Sequence, residues 1–198
     1  NGKTMTRSTI GKLRKCKIIV KHGIGPDIID VDAASEQGIM VANVPDYCLS
    51  EVSHHALSLL FACSRKLFQS DYQVRTELIH NAPALRPIKP LQHSVFGIIG
   101  FGRIGRLTAR TLSTIAPEPG SIVFYDPFVL DDVQLYARND DRTDAHADDP
   151  NGARADAAAA GVTAQKRSLQ QLYAESDFII IHAPYTKDNY HMIDRSAF

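Results

Sequence analysis

From residue 94 onward, continuous apolar runs bounded by breakers alternate with stretches whose apolar residues recur three and four apart. Ser94 to Gly100 (SVFGIIG) is a run of the kind shown by a strand buried on both faces. Arg103 to Ile115 follows with Ile104, Leu107, Thr111, Leu112 and Ile115 on one helical face, closed by Pro117, Pro119 and Gly120. Ser121 to Tyr125 predicts the next strand, Ser168 to Ala174 a helix, and Phe178 to His182 a further strand. Strand and helix alternating at this spacing predict an α/β fold, a doubly wound parallel sheet with helices on both faces.

The first 70 residues read differently. A short strand at Cys16 to Val20 leads into the turn-rich HGIGPD segment, and a second strand is expected near Gly38 to Val44. A helical run then begins with Ser50 as N-cap and Glu51 behind it, placing Val52, Ala56, Leu59, Leu60 and Cys63 at helical spacing. The pattern continues through Arg65 to Leu78 as one long helix that crosses between domains and ends before Pro83 and Pro87. Ala137 to Ala160 is rich in Asp and Ala and carries no large aliphatic or aromatic side chain, so it predicts a mobile surface insertion. Its Asp and His residues follow no metal-ligand spacing.

Composition narrows the function classes. Of 198 residues 44% are hydrophobic and 22% charged, and 22 basic residues balance 22 acidic ones. A net charge of +0 gives no global support for a nucleic-acid or anionic-membrane partner. No apolar run approaches the ~18 residues of a spanning helix. The three cysteines, Cys16, Cys48 and Cys63, form no C-x-x-C pair, which argues against a disulfide scaffold or structural zinc and for a reducing, cytoplasmic setting. The opening NGKTMTRSTIGKLRK is basic and free of acids, as a mitochondrial transit peptide is, but a surface helix feeding the strand Lys17 to Val20 is the favoured reading.

The chemistry-bearing motif is Gly100-Phe101-Gly102-Arg103-Ile104-Gly105. Alone, G-x-G-x-x-G is weak; here it leaves a hydrophobic strand and opens an amphipathic helix, the context a dinucleotide site requires. Gly100 permits the tight turn, Gly102 lets a pyrophosphate approach the backbone, and Gly105 lets the helix pack closely on the strand. Amides at the helix N-terminus supply donors to the phosphates, and Arg103 can add a cation. Asp126 closes the run SIVFYD about 20 residues after Gly105, where a carboxylate accepts from ribose hydroxyls and repels a 2′-phosphate. That favours NAD(H) over NADP(H). A turn-opening Asp-Pro is the plain alternative, and a methyltransferase or flavoprotein would share part of the pattern.

Three more segments accompany the fingerprint: KHGIGPDIID at 21–30, NVPDYCLSEVSHHALSLL at 43–60 and IIIHAPYTKDNYHMID at 179–194. With GIIGFGRIG and the YDP at 125–127 they resemble, in order, the D-isomer-specific 2-hydroxyacid dehydrogenases, a family that also includes phosphoglycerate dehydrogenase and the C-terminal binding protein corepressors. The resemblance implies a Rossmann-like NAD-binding domain beside a remnant of a flavodoxin-like substrate domain, truncated at both ends. Residues 1–70 would be the partial substrate domain with the start of the crossing helix, 71–93 the helix end and linker, and 94–198 the NAD-binding domain with its insertion at 137–160. It implies that Gly23, Ile24 and Gly25 present amides to a substrate carboxylate in a cleft between domains. Gly100 to Gly105, Tyr125, Asp126 and Pro127 would hold the cofactor, with His182, Ala183 and Pro184 bordering the adenosine.

The implied reaction is hydride transfer between nicotinamide and a D-2-hydroxy or 2-keto acid, in a homodimer that engages no nucleic acid and no membrane. The alternative is a non-catalytic, NAD(H)-responsive interaction protein like the corepressors. The family's catalytic Arg, Glu and His lie downstream of the H-x-P segment, so no catalytic residue is assigned and no turnover is expected of the 198 residues alone. Lys21 stands where the family usually has Arg, Pro26 is unusual after the G-x-G turn, Asp46 replaces a common glycine, and His54 takes a place often held by Glu.

Overall fold

A computed structural model describes residues 4–25, 27–79, 81–118, 120–135, 161–186 and 189–195. Pro26 and the expected insertion at 137–160 lie outside the described residues. The chain divides into two compact units, Asn1–Cys48 and Leu49–Phe198.

The first unit holds two short parallel strands, β1 (Ile18–Val20) and β2 (Met40–Ala42), with Ile18 opposite Met40. The basic opening segment contributes one helical turn, α1 (Arg7–Ile10), whose Ile10 is fully buried against Ile29, Ala33, Ala34 and Ile39. Its charges stay outside, where Arg7 pairs with Glu36. The second helix, α2 (Val31–Glu36), starts on Asp30, whose carboxylate accepts from the Ala33 amide at 2.9 Å.

The second unit is built on a five-stranded sheet in the order β5-β6-β4-β3-β7. The strands are β3 (Phe96–Ile99), β4 (Ile122–Tyr125), β5 (Val133–Leu135), β6 (Val162–Lys166) and β7 (Phe178–Ile181). All pairings are parallel except β5 with β6. Successive side chains leave a strand on opposite faces, and the core follows that alternation. Phe96, Ile98, Ile122 and Phe124 enter one buried cluster with Leu57, Leu60, Ala109 and Leu112, whereas Ile99 and Val123 enter another with Leu172. The sheet is therefore covered on both sides, by α3 (Leu49–Ser64) and α5 (Arg103–Ile115) on one and α6 (Leu169–Glu175) on the other.

Helix α6 starts as a capping box: Ser168 accepts from the Gln171 amide while the Gln171 side chain accepts from the Ser168 amide. It lies so close to β3 that a Cβ on Gly97 would come within 2.2 Å of Ser176 Oγ and 2.8 Å of Leu172 Cδ2. The linker into β3 is fastened to the start of β7. Asp177 accepts from Lys89 Nζ at 2.6 Å and from the Val95 amide at 2.8 Å, and these bonds hold its pKa below the ordinary value although burial pushes the other way.

The structure corrects several expectations. The helix after residue 49 is not continuous to Leu78. Ser64 Oγ donates back to the Phe61 carbonyl, Lys66 turns left-handed at φ 55°, and a separate α4 (Leu67–Tyr72) runs on into a π-helical turn at Gln73–Glu77. Ser50 is not the N-cap but a first-turn residue, because α3 begins at Leu49 behind a left-handed Cys48.

The buried faces of α3 and α5 are also rotated by one residue. In α3 the buried positions are Ser53, Leu57, Leu60, Ala62 and Ser64, while Val52, Leu59 and Cys63 are exposed. In α5 they are Gly105, Thr108, Ala109, Leu112 and Ser113, with Ile104, Leu107, Thr111 and Ile115 at the flank. Close helix approach explains the rotation, since small residues let α3 and α5 meet and Gly105 must face the strand end. Strands β5 and β6 carried no clear signal and were not expected. Among the described residues no helix is long and apolar enough to cross a membrane.

Candidate dinucleotide site

The fingerprint forms the turn between β3 and α5, and its three glycines meet three different demands. Gly100 has φ +90°, and a Cβ there would lie 2.5 Å from the Ala183 amide nitrogen and 2.7 Å from the His182 carbonyl carbon. A side chain would therefore be strained by backbone conformation and blocked by the segment after β7. At Gly105 a Cβ would sit 2.2 Å from the Gly100 carbonyl oxygen, so only glycine lets the first turn of α5 come down on the loop. Gly102 is the opposite case. It is exposed, caps α5, and a Cβ on it would meet nothing within 4 Å.

The loop is rigid from below. Phe101 is fully buried, stacked on Phe124 with ring centroids 4.0 Å apart, and its carbonyl accepts from Arg106 Nε at 3.1 Å. Its amide donates to Asp126 Oδ2 at 2.7 Å, while Asp126 Oδ1 accepts from the Phe128 amide at 2.8 Å. Asp126 is thus first a brace that ties the ends of β3 and β4 together. A carboxylate oxygen has more than one acceptor direction, so the brace leaves capacity for a ligand hydroxyl.

The expected cofactor residues converge at the carboxyl ends of three neighbouring strands. Tyr125, Asp126 and Pro127 follow β4, the fingerprint follows β3, and His182, Ala183 and Pro184 follow β7. Ligands of open α/β sheets bind outside such strand ends. The Tyr125 side chain packs with the α6 cluster, Pro127 and Pro184 are exposed, and the His182 amide donates to the Ile99 carbonyl at 2.7 Å. Burial pushes the His182 pKa below its ordinary 6.5, so its ring is neutral near neutrality. No cluster of His, Cys, Asp and Glu among the described residues is placed to hold a metal ion.

The turn Gly23-Ile24-Gly25 belongs to the first unit. All three of its carbonyls are engaged: Gly23 O accepts from the Val44 amide at 3.1 Å, Ile24 O from Asn43 Nδ2, and Gly25 O from Lys21 Nζ. Lys21 therefore braces the turn. An open apolar cavity of about 450 Å³, lined by Phe68, Tyr72, Leu85 and neighbours, shares no residue with the fingerprint.

Sequence reasoning misses Thr108 and Ser53, two fully buried hydroxyls of which Thr108 meets the His182 ring and Ser53 meets Thr108. The available signal was the third fingerprint glycine. Once Gly105 must face the strand, the residue three positions on must face it too.

A glycine turn between a buried strand and a helix N-terminus, open at Gly102, closed at Gly100 and Gly105 and joined to an acidic residue on the next strand, defines a dinucleotide-binding α/β domain. Residues 57–198 match the D-isomer specific 2-hydroxyacid dehydrogenase NAD-binding domain, and the chain belongs to that family, with NAD as the cofactor of the matched domain.

A D-3-phosphoglycerate dehydrogenase of Mycobacterium leprae is 30% identical over 194 residues, 98% of this chain and 31% of that protein. A glyoxylate reductase of Thermococcus gammatolerans is 32% identical over 184 residues, 90% of this chain and 47% of that protein. Among solved structures, a D-lactate dehydrogenase from Aquifex aeolicus complexed with NAD and lactic acid superposes with a TM-score of 0.72 at 24% identity, covering 98% of this chain and 49% of that one. The chain spans between about a third and a half of these relatives' own lengths.

Proposed function

We propose that this chain is part of an NAD-dependent oxidoreductase that interconverts a D-2-hydroxy acid and its 2-keto acid. The observation that carries the reading is the fingerprint turn: Gly102 open above the N-terminus of α5, with Asp126 bonded to the loop from the neighbouring strand. In it, the α5 amides and Arg103 hold the pyrophosphate, Asp126 accepts from the adenosine ribose, and Tyr125, Pro127, His182, Ala183 and Pro184 form the surrounding wall. Bound NAD supplies a hydride acceptor or donor at its nicotinamide ring. Engaged at all three carbonyls, Gly23-Ile24-Gly25 is a rigid turn whose amides suit a carboxylate.

The test is a pair of titrations. The unmodified chain should bind NADH more tightly than NADPH, and Asp126→Ala should narrow the gap, because the carboxylate repels a 2′-phosphate. The variant should also lose about 1 to 2 kcal/mol of stability with the charged hydrogen bonds to Phe101 and Phe128. Tighter NADPH binding by the unmodified chain would refute the assignment.

We also propose a homodimer formed through the second unit. Its support is the set of exposed apolar side chains at Leu67, Phe68, Tyr72, Val74, Leu78 and Ile79, six large groups within 13 residues of chain. Light scattering should give a dimer mass or larger, and a monomer mass at every concentration would count against it.

A further inference from the structure

Three polar side chains that the fingerprint does not use meet inside the second unit. Thr108 Oγ1 on α5 donates to Ser53 Oγ on α3 at 2.9 Å and lies 3.0 Å from His182 Nε2, just past the end of β7. Ser53 and Thr108 are each 0% exposed, and the adjoining helix positions Leu57, Ala109 and Leu112 belong to the apolar core. Packing alone does not call for hydroxyls there, because alanine and valine fill the same space without any cost of removing a hydroxyl from water. A buried hydroxyl pair is tolerable because its members bond one another and the ring.

Donor accounting then specifies the ring. A hydroxyl has one hydrogen. Thr108 Oγ1 donates to Ser53 Oγ and so offers its lone pairs to the imidazole, the arrangement in which His182 presents Nε2–H to it. Nδ1 is left as an acceptor, and among the described residues it makes no hydrogen bond. The backbone of His182 is equally constrained, by its amide on the Ile99 carbonyl and by its closeness to Gly100. Backbone and ring are thereby fixed against the strand and the helix of the same strand–turn–helix unit that carries the fingerprint.

We infer that Ser53 and Thr108 are positioning residues that hold His182 in one neutral tautomer, Nε2–H on Thr108 and Nδ1 free to accept from a hydroxyl or amide N–H of the bound dinucleotide. The inference rests on the cofactor-site reading proposed above, and it gives α3 a part in cofactor binding although no residue of α3 belongs to the fingerprint.

The experiment titrates NADH against the chain and its Thr108→Val, Thr108→Ser and Ser53→Ala variants, and records the imidazole nitrogen shifts of His182 by NMR, assigned with His182→Gln. Thr108→Val should weaken NADH binding about tenfold, Ser53→Ala about threefold, and Thr108→Ser should stay within about twofold of the parent. The parent should show a single Nε2–H tautomer, Thr108→Val a mixture of tautomers, and Thr108→Ser the parent pattern. Should Thr108→Val fail to fold, Ser53→Ala and Thr108→Ser decide the matter, since both keep a hydroxyl at position 108. Unchanged NADH affinity in Thr108→Val and Ser53→Ala, or a tautomer that ignores both substitutions, would overturn the positioning role. A parent chain that binds no NADH would instead overturn the cofactor-site reading, and the NMR arm would still decide whether the hydroxyl pair holds the ring.

Discussion

Gly102→Leu is expected to reduce NADH binding by at least about 100-fold while costing only about 1 kcal/mol of stability, the loss of a tolerated N-cap residue. Two observations separate these effects. Gly102 has φ −75° and ψ −158°, extended backbone that any residue adopts, and a Cβ there touches nothing within 4 Å. The fold therefore resists the substitution only through the N-cap preference for glycine over leucine. The same open space lies over the first amides of α5, and a leucine side chain would fill the approach that a pyrophosphate needs. Losing two charge-assisted hydrogen bonds at about 1.5 kcal/mol each corresponds to a factor of about 100.

Gly105→Ala provides the contrast. Its Cβ would sit 2.2 Å from the Gly100 carbonyl oxygen, a backbone atom, so α5 must lift off the loop and stability must fall. Fluorescence titration with NADH beside urea unfolding reads both quantities. If Gly102→Leu bound NADH like the parent, the glycine fingerprint would not be the phosphate site.

That contrast also bears on how much the sequence disclosed. The β3–α5 unit was legible almost to the residue because hydrophobic run, glycines, helical period and proline stop agree there, and the predicted helix, Arg103–Ile115, is the observed one. Strands β3, β4 and β7 were legible for the same reason, as short apolar runs between breakers. Strands β5 and β6 were not. Val133–Leu135 is three residues long, and Val162–Lys166 mixes polar and apolar positions; sheet pairing, which is tertiary information, makes them strands.

Helix faces failed in a more instructive way. Large apolar residues marked Val52, Leu59 and Leu107 as inward, yet the α3–α5 contact selected Ser53, Gly105 and Thr108, since close approach favours small side chains over hydrophobic ones. The sequence places Asp126 at the end of the next strand, where the structure has it, and points to a ligand contact there. The backbone bonds of Asp126 to Phe101 and Phe128 could not be foreseen, because they depend on how two loops fold beside each other.

Phe124→Ala should be among the most destabilising single substitutions in the second unit, at about 3 to 5 kcal/mol. The side chain is 0% exposed in β4 and stacks on Phe101 at a centroid distance of 4.0 Å and an interplanar angle of 16°. Truncation leaves a ring-sized cavity beneath the fingerprint turn, and the sheet cannot collapse into it because Phe124 is paired in register with Ile98 on one side and Lys166 on the other. Phe96→Ala supplies the control. Phe96 is equally buried but sits at the opposite end of β3, stacked on Phe178 at 5.7 Å. Both variants should lower the urea midpoint by similar amounts. Under conditions where both remain folded, only Phe124→Ala should weaken NADH binding, because Phe101 carries the amide that meets Asp126 and the carbonyl that meets Arg106. Equal NADH affinities in the two variants would mean that the turn holds its shape without the ring beneath it, and a cost below about 1 kcal/mol for Phe124→Ala would contradict its place in the core.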